Sequence, residues 1–283
     1  MQIERVIFET PAVKVGVLRC PEHHPNFKEP RPTENYVVVF PRSCVSVRRS
    51  DDIQFVTDPS MVAFWNRNQE YSRKALSPDG AIADWFAVRH DIILDAVRSV
   101  DPHVEDNPDH PFRIAMARSD PQIYLFQRRL VRHLLNAEDT EQLAVEEAVL
   151  DIVSRNIESA YRQWGRDVDF IEPFSQSLQE EIVYRAEEYI GRHFREPFSI
   201  ADVAKEAGAS PFHLSRLFRR HRKVALHARC NELRLRTALE LVMDTNVDLT
   251  EVSLASGFSS HSHFTWAFKR QFGITPSSIR SCP

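Results

Sequence analysis

One short pattern occurs twice in the last hundred residues of this 283-residue chain, and it leaves that segment few ways to fold. The first copy runs from Ser199 to Ser210 and continues through Pro211 to Arg220; the second runs from Asp248 to Ser259 and continues through Ser260 to Arg270. An offset of 49 pairs Ile200 with Leu249, Val203 with Val252 and Gly208 with Gly257. An offset of 50 then pairs His213 with His263, Leu214 with Phe264, Phe218 with Phe268, Arg219 with Lys269 and Arg220 with Arg270. Each copy has a capping residue, a short apolar helix, a glycine and a second helix, which is the pattern of a helix-turn-helix unit.

The local chemistry of the first copy is explicit. Ser199 caps a helix whose Val203 and Ala207 face inward, and Ala204 is small enough for the next helix to approach. Gly208 supplies the left-handed backbone that the tight turn needs. Ser210 caps the second helix, and Pro211 sits in its first turn, where a missing N–H costs nothing. Leu214, Leu217 and Phe218 point inward, which leaves Phe212, Ser215, Arg216 and Arg219 on the opposite face. In the second copy Asp248 is the cap, Gly257 the turn, and Phe264 and Phe268 the inward anchors. Its outward set is His261, Ser262, Thr265, Trp266 and Lys269.

Those outward residues are of the kind that meets DNA, and two units on one chain suit two successive turns of the duplex. Arg216 can donate a bidentate pair to guanine O6 and N7, Ser215 can bond several bases, and Phe212 can pack on a thymine methyl. Arg219 and Arg220, one turn later, are placed for phosphates. Ser210 and His213 complete the first set. Trp266 occupies the position of Arg216 in the second copy and cannot pair with guanine; it packs either on DNA or within the protein. Charge agrees with this division. Residues 177–283 carry 15 Lys and Arg against 12 Asp and Glu, while the rest of the chain carries 21 against 28. Between 210 and 237, Arg216, Arg219, Arg220, Arg222, Lys223, Arg229, Arg234 and Arg236 face only Glu232.

The 177–283 segment resembles the DNA-binding domain of the AraC/XylS family of transcriptional regulators. The resemblance is carried by Gly257-Phe258-Ser259, His263-Phe264, and Phe268-Lys269-Arg270-Gln271-Phe272-Gly273-Ile274-Thr275-Pro276-Ser277. It implies two helix-turn-helix subdomains joined by a long helix, with reading residues at Phe212, Ser215 and Arg216 in one recognition helix and at His261, Ser262, Thr265 and Trp266 in the other. Two positions depart from the family pattern. Trp266 stands where an arginine is usual, and Lys223 stands where a glycine tends to follow the first recognition helix.

Upstream, apolar alternation and turn signals predict short strands: Val13, Val15 and Val17; Asn35–Phe40; Cys44–Val47; Ile53–Val56; Met61–Trp65; and Ala83–Val88. Two helices follow. Ser119-Asp120-Pro121 opens one with Ile123, Phe126, Leu130 and Leu134 at helical spacing; Thr140-Glu141 opens another with Leu143, Leu150, Val153 and Ile157 along a stripe that Val145, Val149 and Ile152 widen. That stripe is buried either in its own domain or against a second copy. The segment is similar to the family's cupin-like sensor domain and dimerisation helices. The expected fold class is therefore α+β with two domains: an N-terminal cupin-like β-barrel or sandwich with a helical segment, and a C-terminal all-α double helix-turn-helix domain. The boundaries expected are 1–118 for the sensor, 119–164 for the helical, dimerising segment, 165–176 for the linker and 177–283 for the DNA-binding domain.

The expected function is a sequence-specific transcriptional regulator, an activator, controlled by a signal sensed in the N-terminal domain. Its expected partners are double-stranded promoter or operator DNA, RNA polymerase, a small-molecule effector or a regulatory protein, and a second copy through 119–164. Tyr36, Phe64, Trp65, Trp85 and Phe86 are the candidate effector-binding residues. No catalytic residue, metal or cofactor is expected: Gly-x-Ser-x-Gly and Walker patterns are absent, and seven glycines leave little room for a phosphate cradle. His23-His24 lacks the His-x-His of a metal cupin, so a metal-cupin enzyme tethered to DNA is the weaker alternative. Cys20 and Cys44 read as buried small residues or as a thiol pair. No apolar run reaches the roughly 20 residues that span a bilayer. The opening Met1-Gln2-Ile3-Glu4-Arg5 lacks a secretory pattern, so the cytoplasm is the expected location.

Overall fold

Strict alternation along Val13–Cys20 and Ala81–Val88 sends every second side chain to the same side, and pairing these two strands fixes what each side holds. They pair antiparallel with Val15 opposite Phe86 and Gly16 opposite Trp85. The computed structural model describes residues 3–27, 31–50, 53–137, 139–164 and 178–281. The chain divides into two units, Met1–Thr57 with Met61–Pro173, and Asp58–Ser60 with Phe174–Pro283. The expected linker, 165–176, lies outside the described residues.

The first unit contains β1 (Glu4–Glu9), β2 (Val13–Cys20), β3 (Arg31–Pro32), β4 (Val37–Pro41), β5 (Val45–Arg49), β6 (Gln54–Thr57), β7 (Met61–Trp65), β8 (Glu70–Ala75), β9 (Ala81–Val88) and β10 (Met116–Arg118). They form two antiparallel sheets, ordered β1-β2-β9-β4-β7-β10 and β3-β8-β5-β6. From β2 to β9 the chain passes from one sheet to the other at each step except the β5–β6 hairpin. This is jelly-roll topology, the arrangement found in cupins.

The two faces of the larger sheet do different work. The outer face carries Val15, Val38, Phe40, Phe64 and Phe86, all buried, together with Asp84. Asp84 accepts hydrogen bonds from Gln127 (2.8 Å) and Arg128 (2.9 Å). Both donors lie on α2 (Pro121–Asn136). Asp84 and Arg128 are almost fully buried, and Arg42 lies 3.6 Å from the other Asp84 oxygen, so removing Asp84 would leave buried cations without their carboxylate; the Asp84–Arg128 pair fixes where α2 lies. Helix α3 (Gln142–Trp164) packs on β9, β10, α2 and α1 (His90–Arg98).

The α3 register corrects one expectation. Val145, Val149, Ile152, Val153 and Ile157 are buried within this unit, whereas Leu143 is 61% exposed. The broad stripe is therefore covered in its own unit and is centred on the β-branched residues; Leu143 falls off its edge. Phe126 on α2 is likewise more exposed than its spacing suggested, at 38%.

The second unit is helical: α4 (Leu178–His193), α5 (Ile200–Ala207), α6 (Pro211–Arg222), α7 (Leu226–Asp244), α8 (Leu249–Ala255), α9 (His261–Phe272) and α10 (Pro276–Ser281). Helix α4 backs α5 and α6, while α7 and α10 back α9. Helix α7 starts at Leu226, where its N-cap Ala225 offers no side-chain cap to announce it. At about 1.5 Å per residue its 19 residues run roughly 28 Å. No helix among the described residues is long and apolar enough to cross a membrane.

Candidate nucleic-acid interface

Each recognition helix is held by a cap, a turn and an anchor row, all visible in the geometry. Ser199 and Asp202 form a reciprocal capping box at the start of α5: the Ser199 hydroxyl accepts from the Asp202 N–H, and the Asp202 carboxylate accepts from the Ser199 N–H. Asp248 does the capping at α8, accepting from the Thr250 N–H at 2.7 Å. The hydrogen bonds from Ser199 hold the Asp202 carboxyl below its ordinary range, and those from Thr250 do the same for Asp248. Gly208 and Gly257 both adopt positive φ, at 69° and 83°. Ser210 and Ser260 then cap α6 and α9 identically, accepting from the His213 and His263 N–H groups at 3.2 and 3.3 Å. Leu214, Phe218, Phe264 and Phe268 are fully buried beneath them.

The outward faces are now explicit. On α6, Phe212, His213, Arg216, Arg219 and Arg220 are exposed and Ser215 is half-buried. Arg216 lays its guanidinium over the Phe212 ring, 5.7 Å from the centroid. Stacking of this kind leaves the planar N–H fork free to donate. On α9, His261, Ser262, Trp266, Lys269 and Arg270 are exposed. Thr265 is half-buried, and its hydroxyl is buried and without a hydrogen-bond partner among the described residues. At 58% exposure, Trp266 is not a core residue.

The basic run divides in two. Arg222 makes a bidentate pair with Glu187 of α4, at 2.6 and 2.7 Å. Arg234 donates to the carbonyls of Phe194 and Glu196 beyond the end of α4, at 2.6 and 3.1 Å. Arg229 and Arg236 are buried on α7 near Glu232, with Arg236 over the Phe272 ring. The cations left outward are Arg216, Arg219, Arg220 and Lys223. His221 is held below its ordinary value, first by burial and then by Arg222, and adds no charge to this face at neutral pH. Lys223 ends α6 in the left-handed region at φ 54°; the equivalent residue ending α9 is Gly273, at φ 73°.

In the first unit a cavity of about 870 Å³ lies between the two sheets, lined among others by Trp65, Tyr71, Arg73, Trp85, Val39 and Val47. Of the aromatic residues singled out in the sequence, Trp65 and Trp85 reach it. Tyr36, Phe64 and Phe86 do not: they lie on the outer face, where Tyr36 stacks on His90, Phe64 packs at a tilt against Phe112 and Phe86 meets Phe40 edge-on. Neighbours along a strand point to opposite faces, so a Phe-Trp or Trp-Phe pair can contribute only one ring. The Trp85 indole lies directly across Gly16, where a β-carbon would come within 2.1 Å of its ring. Tyr71 and Arg73 carried no strand signal in the sequence because Glu70–Ala75, Glu-Tyr-Ser-Arg-Lys-Ala, has no alternation of apolar with polar residues. Cys20 and Cys44 are buried thiols that are not disulfide-bonded. Among the described residues, no three His, Cys, Asp or Glu side chains gather into a metal-holding group.

Two capped helix-turn-helix frames, each presenting a polar outward helix, define a DNA-binding domain with duplicated readers. Residues 203–281 match the family model described as a helix-turn-helix domain. The chain is 44% identical over 84 residues to the HTH-type transcriptional regulator GlxA of Rhizobium meliloti (strain 1021), covering 30% of this chain and 26% of that protein. It is 28% identical over 105 residues to the HTH-type transcriptional regulator ExsA of Pseudomonas aeruginosa, covering 37% and 38%. A solved transcriptional regulator with an AraC-type DNA-binding domain from Chromobacterium violaceum is 32% identical, with 35% of this chain and 89% of that one covered and a TM-score of 0.34. Through this domain the chain is similar to transcriptional regulators of the AraC type. It spans between a quarter and two fifths of the length of those two curated relatives.

Proposed function

We propose that this chain is a cytoplasmic, sequence-specific activator of transcription that binds promoter DNA through α6 and α9 and works by recruiting RNA polymerase. The observation that carries the reading is the matched pair of serine-capped helices, each buried by its anchor row and outward with polar and cationic groups. In α6, Arg216 reads a guanine, Phe212 packs on a neighbouring thymine methyl, and Arg219, Arg220 and Lys223 hold phosphates. Ser210 and His213, at the tip of the helix, and His261 and Ser262, at the tip of α9, supply further contacts. Lys269 meets the backbone.

The jelly-roll cavity is the seat of the signal: a small molecule enclosed between Trp65, Tyr71 and Trp85 shifts the population of binding-competent protein. The activity is binding, and no catalytic step is assigned. Selection from a random duplex library tests the central claim. The expected product is a two-part site with boxes about 10 base pairs apart, the spacing of successive major grooves. A library that emerges unenriched would remove this reading.

A further inference from the structure

Both recognition helices carry an exposed aromatic ring with an arginine four residues later, but at different depths. In α6 the pair is Phe212 and Arg216, two and six residues after the cap Ser210. In α9 it is Trp266 and Arg270, six and ten residues after the cap Ser260, with the Arg270 guanidinium 5.3 Å from the ring centroid. The stack has moved one turn along the helix, about 6 Å further from the tip. A recognition helix reads bases with its N-terminal residues. Arg270, ten residues after its cap like Arg220, therefore sits where the helix passes the sugar-phosphate backbone, with Trp266 one turn nearer the tip at the depth of Arg216.

The surroundings of Trp266 agree with that position. Three residues before it the His263 ring lies nearly parallel, 6.4 Å away and tilted by 20°; four residues after it lies Arg270. The indole is therefore bracketed along the helix axis, with neighbours beside its faces. The ring is 58% exposed, and its edge, the positive side of the aromatic quadrupole, carries an N–H donor. Lys269 and Arg270 stand exposed next to it.

We infer that Trp266 and Arg270, steadied by His263, form a phosphate clamp, so that α9 anchors the protein on the DNA backbone through this stack and leaves base reading to the tip of the helix. This rests on the DNA-binding reading above and assigns Arg270 and His263 roles within it. The clamp is a positioning device: it should be blind to sequence and sensitive to phosphate charge.

The test uses the full chain and the duplex that wild-type protein selects. Single phosphates flanking the box bound by α9 are replaced one at a time by neutral methylphosphonate, and affinity is read by fluorescence anisotropy. At one or two positions wild-type affinity should fall about tenfold, the scale of a charge-assisted hydrogen bond. The same replacements should have little effect on Arg270→Ala and on Trp266→Phe, which keeps the plate and removes the N–H. Circular dichroism verifies that both variants fold. On non-specific duplex, Arg270→Ala should lower the salt slope by about one. Unchanged phosphate sensitivity in both variants would overturn the clamp, as would a shift in the bases that Trp266→Ala selects in that box. Failure of wild-type protein to select any site would remove the DNA-reading proposal, while the salt slope on non-specific duplex would still decide the clamp.

Discussion

The α5–α6 and α8–α9 units share a scaffold almost residue for residue, and they differ wherever the scaffold does not dictate the side chain. Caps, turns and anchors coincide: Ser210 with Ser260, Gly208 with Gly257, Phe218 with Phe268. The outward residues do not. Where α6 presents Arg216 over Phe212, α9 presents Ser262 and Trp266 at the corresponding positions, and Lys223 ends one helix where Gly273 ends the other. Backbone geometry admits few residues at a cap or a left-handed turn, whereas an exposed helical position admits nearly any. A duplication therefore keeps its frame while its contacts diverge.

The two turn glycines give the sharpest way to break the comparison. Beside Gly208 nothing stands within 4 Å of an added β-carbon, while beside Gly257 that atom would meet the Arg195 carbonyl and the Arg234 guanidinium at 2.9 Å. Gly257→Ala should cost about 2–4 kcal/mol from left-handed strain and overpacking together, against about 1–2 for Gly208→Ala. Urea denaturation of the full chain checks this, and equal losses would mean that the second turn is no tighter than the first.

Binding comes next in size. Arg216→Ala should lose about 1–3 kcal/mol and relax preference at one or two base pairs. Lys269→Ala on α9 should weaken all sequences alike and lower the salt slope by about one. Repeated site selection with each variant separates the two. If Arg216→Ala returned the wild-type site unchanged, α6 would not be the reading helix.

The helix ends offer a smaller contrast. Lys223→Gly should leave stability equal or raise it by up to about 1 kcal/mol, and Gly273→Lys should lower it by a similar amount, because only glycine adopts positive φ without strain. Opposite shifts in urea midpoint are the expected outcome; a destabilised Lys223→Gly would show that the lysine side chain contributes more than its backbone costs.

The smallest effect is acid sensitivity. Asp202 and Asp248 have folded pKa values below those of the unfolded chain, so the stability they contribute is fully present above the unfolded value of about 3.9 and is lost as pH falls through the folded value. Asp202→Asn and Asp248→Asn should flatten the decline in stability below pH 4. A variant that keeps the wild-type slope there would show that its cap is not titrating.

Much of this was legible in the residues. The capping serines, the glycines and the inward rows of both units follow from local rules and appear where those rules put them, as does Asp120 with Pro121 at the start of α2. What escaped had no local signal. Strand β8 has no apolar alternation, α1 lacks a side-chain cap, and the start of α7 is equally unannounced. Besides Tyr36, the candidate effector residues form two aromatic pairs, Phe64-Trp65 and Trp85-Phe86, and pairing across the sheet decides which member of each faces the cavity.

The sequence by itself determined that there are two readers, where each begins, where each turns and which side chains lie beneath it, because those features depend on residues within a few positions of one another. Only the tertiary structure decided which arginines are spent. Arg222 is paired with Glu187, 35 residues away, and Arg234 donates its N–H groups to carbonyls 38 and 40 residues away. Whether a cation faces a phosphate or a carboxylate of its own protein is set by the packing of distant helices, and no count of basic residues along the chain contains that information.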